Sequence, residues 1–123
     1  MRTLTSCRTV SRRESATTTY LERVNRAITY IVEHLDGPLT LRQISRAAMF
    51  SPFHFHRVFQ ALVGTTPADY VKRLRLEKAL GMMAFSRRQS LTSIAAACGF
   101  ASSSDFSRSF KQRFGVAPSG FDI

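Results

Sequence analysis

The chain contains two copies of one pattern, and this internal duplication constrains its fold more than any other feature of the sequence. At an offset of 50 residues, the matched pairs are Leu41 with Leu91, Ile44 with Ile94, Ala47 with Ala97, and Phe50 with Phe100. One extra residue, Ala101, then moves the offset to 51, and the matches continue with Ser51 and Ser102, Phe55 and Phe106, Arg57 and Arg108, Phe59 and Phe110, Gly64 and Gly115, and Pro67 and Pro118. The repeat predicts a fold built from two similar units.

Each copy has the pattern of a short helix, a tight turn and a capped second helix, which is typical of a helix-turn-helix. The 3.6-residue spacing of apolar residues, with Ser, Thr, Pro and Gly at the ends, predicts helices over 19–35, 41–49, 52–63, 67–85, 91–98 and 103–114, and at most one further turn after Pro118. No segment shows the alternation of a half-buried strand. The predicted fold is therefore all-α, with about seven helices.

The predicted organisation has four parts: a flexible basic N-terminal arm (1–18), a first helix-turn-helix subdomain (19–66), a linker helix (67–85) and a second subdomain (86–123). A linker helix of this length spans roughly 27 Å. Successive major grooves on one face of a DNA duplex lie about 34 Å apart, so the two second helices could reach neighbouring groove segments of an asymmetric, bent site.

Three apolar stripes are predicted to face the core. They are formed by Leu21, Val24, Ile28, Ile31, Val32 and Leu35 on the first helix; by Phe55, Val58, Phe59 and Leu62 on the third; and by Phe106, Phe110 and Phe114 on the sixth. The faces opposite the last two stripes are then left for a partner.

The charge balance favours a polyanionic partner, because 18 Lys and Arg against 8 Asp and Glu give a formal net charge of +10. Nucleic acid and an anionic membrane surface both fit. The apolar runs are far too short to span a bilayer, and the two cysteines suggest no disulfide framework, so a cytoplasmic protein is expected. Neither metal-ligand spacing nor a catalytic constellation is visible, and we expect no metal, no cofactor and no enzymatic activity.

The candidate base-contacting residues lie on the second helix of each unit. In the first unit an arginine can bind guanine through two parallel hydrogen bonds, a histidine can meet a base edge, and a phenylalanine can pack on a thymine methyl group. In the second unit short hydroxyls and one arginine are expected to grip phosphate more than to read bases. The two sets are Phe53, His56, Arg57 and Gln60, and Ser103, Ser104, Ser107 and Arg108.

The candidate phosphate contacts are the helix N-caps and a basic group centred on the linker helix. They are Thr40, Ser51, Ser90 and Ser102, together with Lys72, Arg73, Arg75 and Lys111. For the linker-helix cluster, an ordinary solvated or internally paired face is an equally good interpretation. His54 lies on the helix flank, where a structural hydrogen bond is favoured over base contact.

From about Thr19 to Phe121 the chain resembles the DNA-binding domain of the AraC/XylS transcriptional regulators. The pattern that carries the resemblance is Leu41, Ile44, Ser45, Ala48, Ser51, His54, Arg57 and Phe59; Gly64, Pro67 and Tyr70; Arg73, Arg75 and Ala79; and Ile94, Ala95, Gly99, Phe100, Phe106, Arg108, Phe110, Lys111, Phe114, Gly115 and Pro118. The first turn departs from it, with Met49 where the second turn has Gly99.

The resemblance implies sequence-specific binding to double-stranded DNA at bacterial promoters, by a monomer and with RNA polymerase as a further partner. A chain of this length is similar to the stand-alone members related to MarA and SoxS. The stretch from Ser51 to Arg57 is also similar to members in which a gyrase-inhibitor-like effector domain follows the DNA-binding module. Two alternatives to DNA binding remain open: a basic helical module that binds RNA or an anionic membrane surface, and a purely structural bundle.

Overall fold

The computed structural model describes residues 12–85 and 88–121, and these residues form helices and turns without a strand. The helices are α1 (Arg12–Glu33), α2 (Leu41–Ala47), α3 (Pro52–Val63), α4 (Pro67–Phe85), α5 (Leu91–Ala97) and α6 (Ser103–Phe114), followed by a 3-10 turn (Pro118–Gly120). The predicted all-α architecture is confirmed. Helices α3, α4 and α6 have the predicted bounds because a proline or a capping serine starts each one, and α3 and α6 also end at a glycine.

The first helix differs from the prediction at both ends. It begins at Arg12 rather than Thr19 and ends at Glu33, so it extends into the segment predicted to be a flexible arm. In the sequence, Ser11 and Glu14 have the spacing of a capping box directly before this start, a signal that the apolar period did not use and that would have placed the start correctly. The rest of the predicted arm, residues 1–11, lies outside the described residues.

The apolar stripes are narrower than predicted. Val24, Ala27 and Ile31 of α1 are buried, whereas Leu21 and Val32 are 45% and 58% exposed. Leu62 of α3 is also exposed, at 38%. Since α1 packs against α2 and α3 on one side only, residues at the edges of its apolar face remain at the surface.

Two hydrophobic cores lie along α4. The first core joins α1, α2 and α3 to Val71 near the start of α4, and the second joins α5 and α6 to Leu76, Ala79 and Met83 further along it. Helix α4 therefore connects the units and also supplies one wall of each core.

The duplication extends to α1 and α4. At an offset of 52 residues, the buried residues of α1 match buried residues of α4: Val24 with Leu76, Ala27 with Ala79, and Ile31 with Met83. Each unit thus contains three helices, α1–α3 and α4–α6, and α4 is the first helix of the second unit as well as the link between them.

The two helix-turn-helix turns share one backbone conformation despite their different residues. Gly99 has a φ of 88° and Met49, its counterpart, a φ of 63°. Both values lie in the left-handed region, which glycine adopts without strain and other residues rarely do. Arg23 of α1 stabilises the strained turn, since its guanidinium donates hydrogen bonds to the carbonyls of Ala48 and Met49 and lies 3.8 Å from the ring centroid of Phe50.

Candidate nucleic-acid interface

Helix α3 presents a polar and aromatic face because its opposite face is locked into the first core. Ser51 starts the helix, with its Oγ accepting a hydrogen bond from His54 N at 3.3 Å, and Pro52 occupies the first position. Phe55, Val58 and Phe59 are buried. The remaining face carries all four predicted base-contacting residues of this unit, of which His56 is partly buried and the others exposed: Phe53, His56, Arg57 and Gln60.

An aromatic ring and a guanidinium lie side by side on this face. The Phe53 side chain is 73% exposed, and the guanidinium carbon of Arg57 lies 5.8 Å from its ring centroid. Because Phe53 is not buried in the free chain, its ring is available to pack against a partner with the Arg57 guanidinium beside it. The pair can offer one apolar contact and one forked hydrogen-bond donor to a base pair.

His54 has a packing role instead of the predicted structural hydrogen bond. Its ring meets the rings of Phe50 and Tyr20 edge to face, with centroid distances of 4.9 and 5.8 Å. These contacts attach the start of α3 to α1 and to the preceding turn, while the His54 side chain remains exposed in the groove that Phe53 and Arg57 also line.

Helix α6 repeats the arrangement of α3 with different chemistry. Ser102 Oγ accepts a hydrogen bond from Asp105 N at 3.0 Å, and Phe106 and Phe110 are buried. The predicted contact residues on the other face are all exposed: Ser103, Ser104, Ser107, Arg108 and Lys111. Arg108 forms an ion pair with Asp105 at 3.6 Å, so its charge is partly balanced within the helix. The i, i+3 spacing of Asp105 and Arg108 was a signal for this pair that the sequence interpretation did not use.

The two shorter helices are capped by the predicted residues. Thr40 and Gln43 form a reciprocal capping box, with Gln43 N donating to Thr40 Oγ1 at 3.1 Å and Thr40 N donating to Gln43 Oε1 at 2.9 Å. Ser90 Oγ accepts from Ser93 N at 3.1 Å. These caps fix the starts of α2 and α5.

The basic cluster of α4 divides into three different environments. Lys72 is exposed, and Arg73 forms an ion pair with Glu77 at 3.7 Å, a residue that Arg113 of α6 also approaches at 4.0 Å. Arg75 donates to the backbone carbonyls of Leu35 at 2.9 Å and Gly37 at 2.7 Å. Two N–H groups of Arg75 are thus used inside the protein, and because Arg75 also lines a cleft between the two units, its phosphate contact stays a prediction.

Burial changes the pKa of two groups near this point. Desolvation lowers the pKa of the Arg75 guanidinium, and the charge of Asp105 opposes the shift. Desolvation raises the pKa of the Cys98 thiol, against the nearby charges of Lys78 and Arg75. Both shifts reflect the close packing of α4 against the turn between α5 and α6.

Residues of both units line one cleft of about 260 Å³, but the predicted contact residues of α6 are not among them. His56 of α3, Lys72 of α4 and Asp105 in the first turn of α6 all line it, above an apolar floor that includes Val71 and Phe100. The cleft thus brings His56 of α3 near the start of α6, whereas Phe53 and Arg57 line a separate groove beside Tyr20. The role of Asp105 at this cleft was missed from the sequence, where it served only to mark a helix start.

Other kinds of site lack support in the part of the chain that the structure describes. Its His, Cys, Asp and Glu residues form no group of three that could hold a metal ion. Across residues 12–85 and 88–121, no helix combines the length and apolar character that crossing a bilayer demands.

The fold and this surface define a tandem helix-turn-helix protein. A family model described as a helix-turn-helix domain matches residues 44–122. LumQ of Photobacterium leiognathi, a probable transcriptional regulator, is 33% identical over 105 residues, which cover 84% of this chain and 42% of that protein. The chain belongs to the AraC-type family of helix-turn-helix DNA-binding domains.

Solved structures agree with this assignment. An AraC-type transcriptional regulator from Chromobacterium violaceum has a TM-score of 0.73 and 26% identity, over 80% of this chain and 88% of that one. The DNA-binding domain of AdpA, solved in complex with a target DNA, has the same fold, with a TM-score of 0.75 at 24% identity over 79% of this chain and 86% of that one. The chain spans 29% to 42% of the length of the curated relatives it matches.

Proposed function

We propose that the chain is a sequence-specific double-stranded DNA-binding domain of a bacterial transcriptional regulator. Helices α3 and α6 enter successive major-groove segments of one asymmetric promoter site. The observation that carries the proposal is the shared cleft, since residues of both units and of α4 line it together. Two reading helices in one polypeptide replace the dimer that a single helix-turn-helix usually needs, so the chain binds as a monomer.

Base reading is assigned mainly to α3. Arg57 and Phe53 lie side by side, and a forked donor next to an apolar ring suits a guanine beside a thymine. Helix α6 adds Arg108 and three serines, and because Asp105 balances part of the charge of Arg108, we assign this face to phosphate grip and limited base contact.

Phosphate contact is assigned to the helix starts and to exposed lysines. The side-chain caps of Thr40, Ser51, Ser90 and Ser102 satisfy the third amide of each helix. A phosphate would meet the two amides before it in α2, α5 and α6, and a single amide in α3, because Pro52 carries no N–H. Lys72 at the cleft and Lys111 on α6 add positive charge. Arg73 contributes only if its pair with Glu77 opens.

In the whole regulator this domain would act in the cytoplasm at the nucleoid, with RNA polymerase as a further partner, and would carry no catalytic activity of its own. RNA and anionic membranes, the competing partners that net charge alone allows, serve as controls.

The decisive experiment selects bound duplexes from a random DNA pool and measures affinity for the selected and a scrambled duplex. We expect the selected duplex to bind about a thousandfold more tightly, with two conserved segments one helical turn apart. Equal affinity for both duplexes, or stronger binding to structured RNA or anionic vesicles, would overturn the proposal.

A further inference from the structure

Arg75 lies on α4 at the junction between the two cores, after Val71 of the first and directly before Leu76 of the second. Its side chain reaches the segment that follows α1, where Nε donates to the Leu35 carbonyl and Nη2 to the Gly37 carbonyl. Both acceptors belong to the first unit, whereas α4 begins the second. Hydrogen bonds from a charged, half-buried donor are about twice as strong as neutral ones.

The turn of the second helix-turn-helix lies against the same carbonyl. A Cβ atom on Gly99 would lie 2.5 Å from Leu35 O and 2.9 Å from Arg75 Nε. The backbone carbonyl cannot move away without breaking its bond to Arg75. Glycine is therefore required at this position by the close approach of the first unit, in addition to its φ of 88°.

The first unit has an arginine at the same position of its pattern, but this arginine binds only within its own unit. At the offset of 52 that aligns α1 with α4, Arg23 corresponds to Arg75, and it binds the turn of its own unit at Ala48 and Met49. Met49, in the position of Gly99, carries a side chain that is 66% exposed. One copy of the duplicated arginine thus secures its own turn, and the other copy bridges the two units.

We propose that Arg75, the Leu35 carbonyl and Gly99 form a joint that fixes α6 relative to α3 and thereby sets the half-site spacing that the chain accepts. This inference rests on the proposed function. Arg75 acts here as a positioning residue, because its Nε and Nη2 donors are taken up by backbone carbonyls of the first unit. A rigid pair of reading helices binds both half-sites with full avidity only when their spacing matches.

The test compares variants on the selected duplex and on a duplex with one base pair inserted between its two conserved segments. For the wild-type chain, we expect the insertion to weaken binding about thirtyfold. Arg75→Met and Gly99→Ala should bind the selected duplex about tenfold more weakly and lose no more than about threefold on insertion, because the loosened units can adapt to either spacing.

Gly115→Ala is the matched control. Gly115 has the same φ of 88°, but a Cβ there meets nothing within 4 Å, so the substitution adds the backbone strain without the clash. It should keep the wild-type insertion penalty. If Gly99→Ala fails to fold, Arg75→Met still tests the joint, because it introduces no clash at Gly99.

A measurement without DNA separates this inference from the proposed function. Residual dipolar couplings of the free wild-type chain should fit one alignment tensor for both units, and those of Arg75→Met should require two. If no duplex binds better than the scrambled control, the proposed function fails while the couplings still report on the joint. If Arg75→Met keeps a single tensor and the full insertion penalty, α4 alone fixes the units and the joint is disproved.

Discussion

Arg57 and Arg108 occupy the same position in the duplicated pattern but have different neighbours. Arg57 lies beside the Phe53 ring, whereas Arg108 is paired with the carboxylate of Asp105. An arginine beside an apolar ring can turn both donors toward a base, while one held by a carboxylate has part of its hydrogen-bonding capacity occupied. The residue type alone predicts equal roles for the two arginines, and only their surroundings distinguish them.

The first prediction follows from this difference. Arg57→Ala should cost about 1 to 3 kcal/mol of binding free energy on the selected duplex and relax the preference at one base pair. Arg108→Ala should weaken selected and scrambled duplexes by similar factors. Titrations of each variant against both duplexes measure this, and equal losses on both duplexes for Arg57→Ala would rule out its assigned role.

A second prediction concerns the strained turn at Met49. Met49→Gly should raise the free energy of unfolding by about 0.5 kcal/mol, because relief of the left-handed strain exceeds the extra chain entropy of glycine in the unfolded state. Chemical denaturation measures the change. Met49→Ala keeps the positive φ and removes the contact between Met49 Sδ and Arg26, so it should be no more stable than the wild type. A Met49→Gly chain less stable than Met49→Ala would contradict this account.

At the scale of helices, the sequence predicts best those helix ends that are marked by a residue with a local effect on the backbone. Ser51-Pro52 and Ser102 mark the starts of α3 and α6, and Gly64 and Gly115 mark their ends, because caps, proline and left-handed glycine are local devices. The start of α1 is predicted too late because the prediction rests on the apolar period and not on the capping-box spacing of Ser11 and Glu14. The exposure of Leu62 and Val32 could not be predicted either. The apolar period identifies one face of a helix, but it does not show how much of that face the neighbouring helices cover.

The third prediction separates the two roles assigned to a helix cap. Ser102→Ala should lower stability by about 1 kcal/mol, because Asp105 N loses its acceptor, and Ser102→Gly should lower it by only a few tenths. Ser102→Asp should keep stability, since a carboxylate caps well and suits the positive end of the helix.

The same Asp substitution should nevertheless weaken DNA binding, by repelling a phosphate at the start of α6. Thermal unfolding and binding titrations on one set of variants report the two effects. Undiminished affinity for Ser102→Asp would remove this helix start from the phosphate-contact set.

At the scale of the whole molecule, the duplication predicted two units on one chain, but it could not predict how they meet. Arg75 and Leu35 are 40 residues apart, and no local pattern links them. The sequence left open whether the α4 cluster meets phosphate or is paired internally, and it gave no sign that Arg75 donates to the carbonyls of Leu35 and Gly37. Function can be predicted from repeated local motifs, whereas the geometry between them depends on contacts that form only after both units have folded.

The last prediction concerns the electrostatic contribution of the whole surface. With about six phosphates neutralised, the logarithm of the binding constant should fall against the logarithm of salt concentration with a slope of roughly −5. Lys72→Ala removes one exposed charge at the cleft and should reduce the slope by about one for selected and scrambled duplexes alike.

Arg26→Ala is the control, because it removes the same charge from α1, a helix that carries none of the proposed contact residues, and the slope should stay unchanged. Counterion release depends on where charges meet phosphates and not on net charge alone. If Lys72→Ala and Arg26→Ala gave equal salt slopes, the +10 charge would act only as a diffuse field.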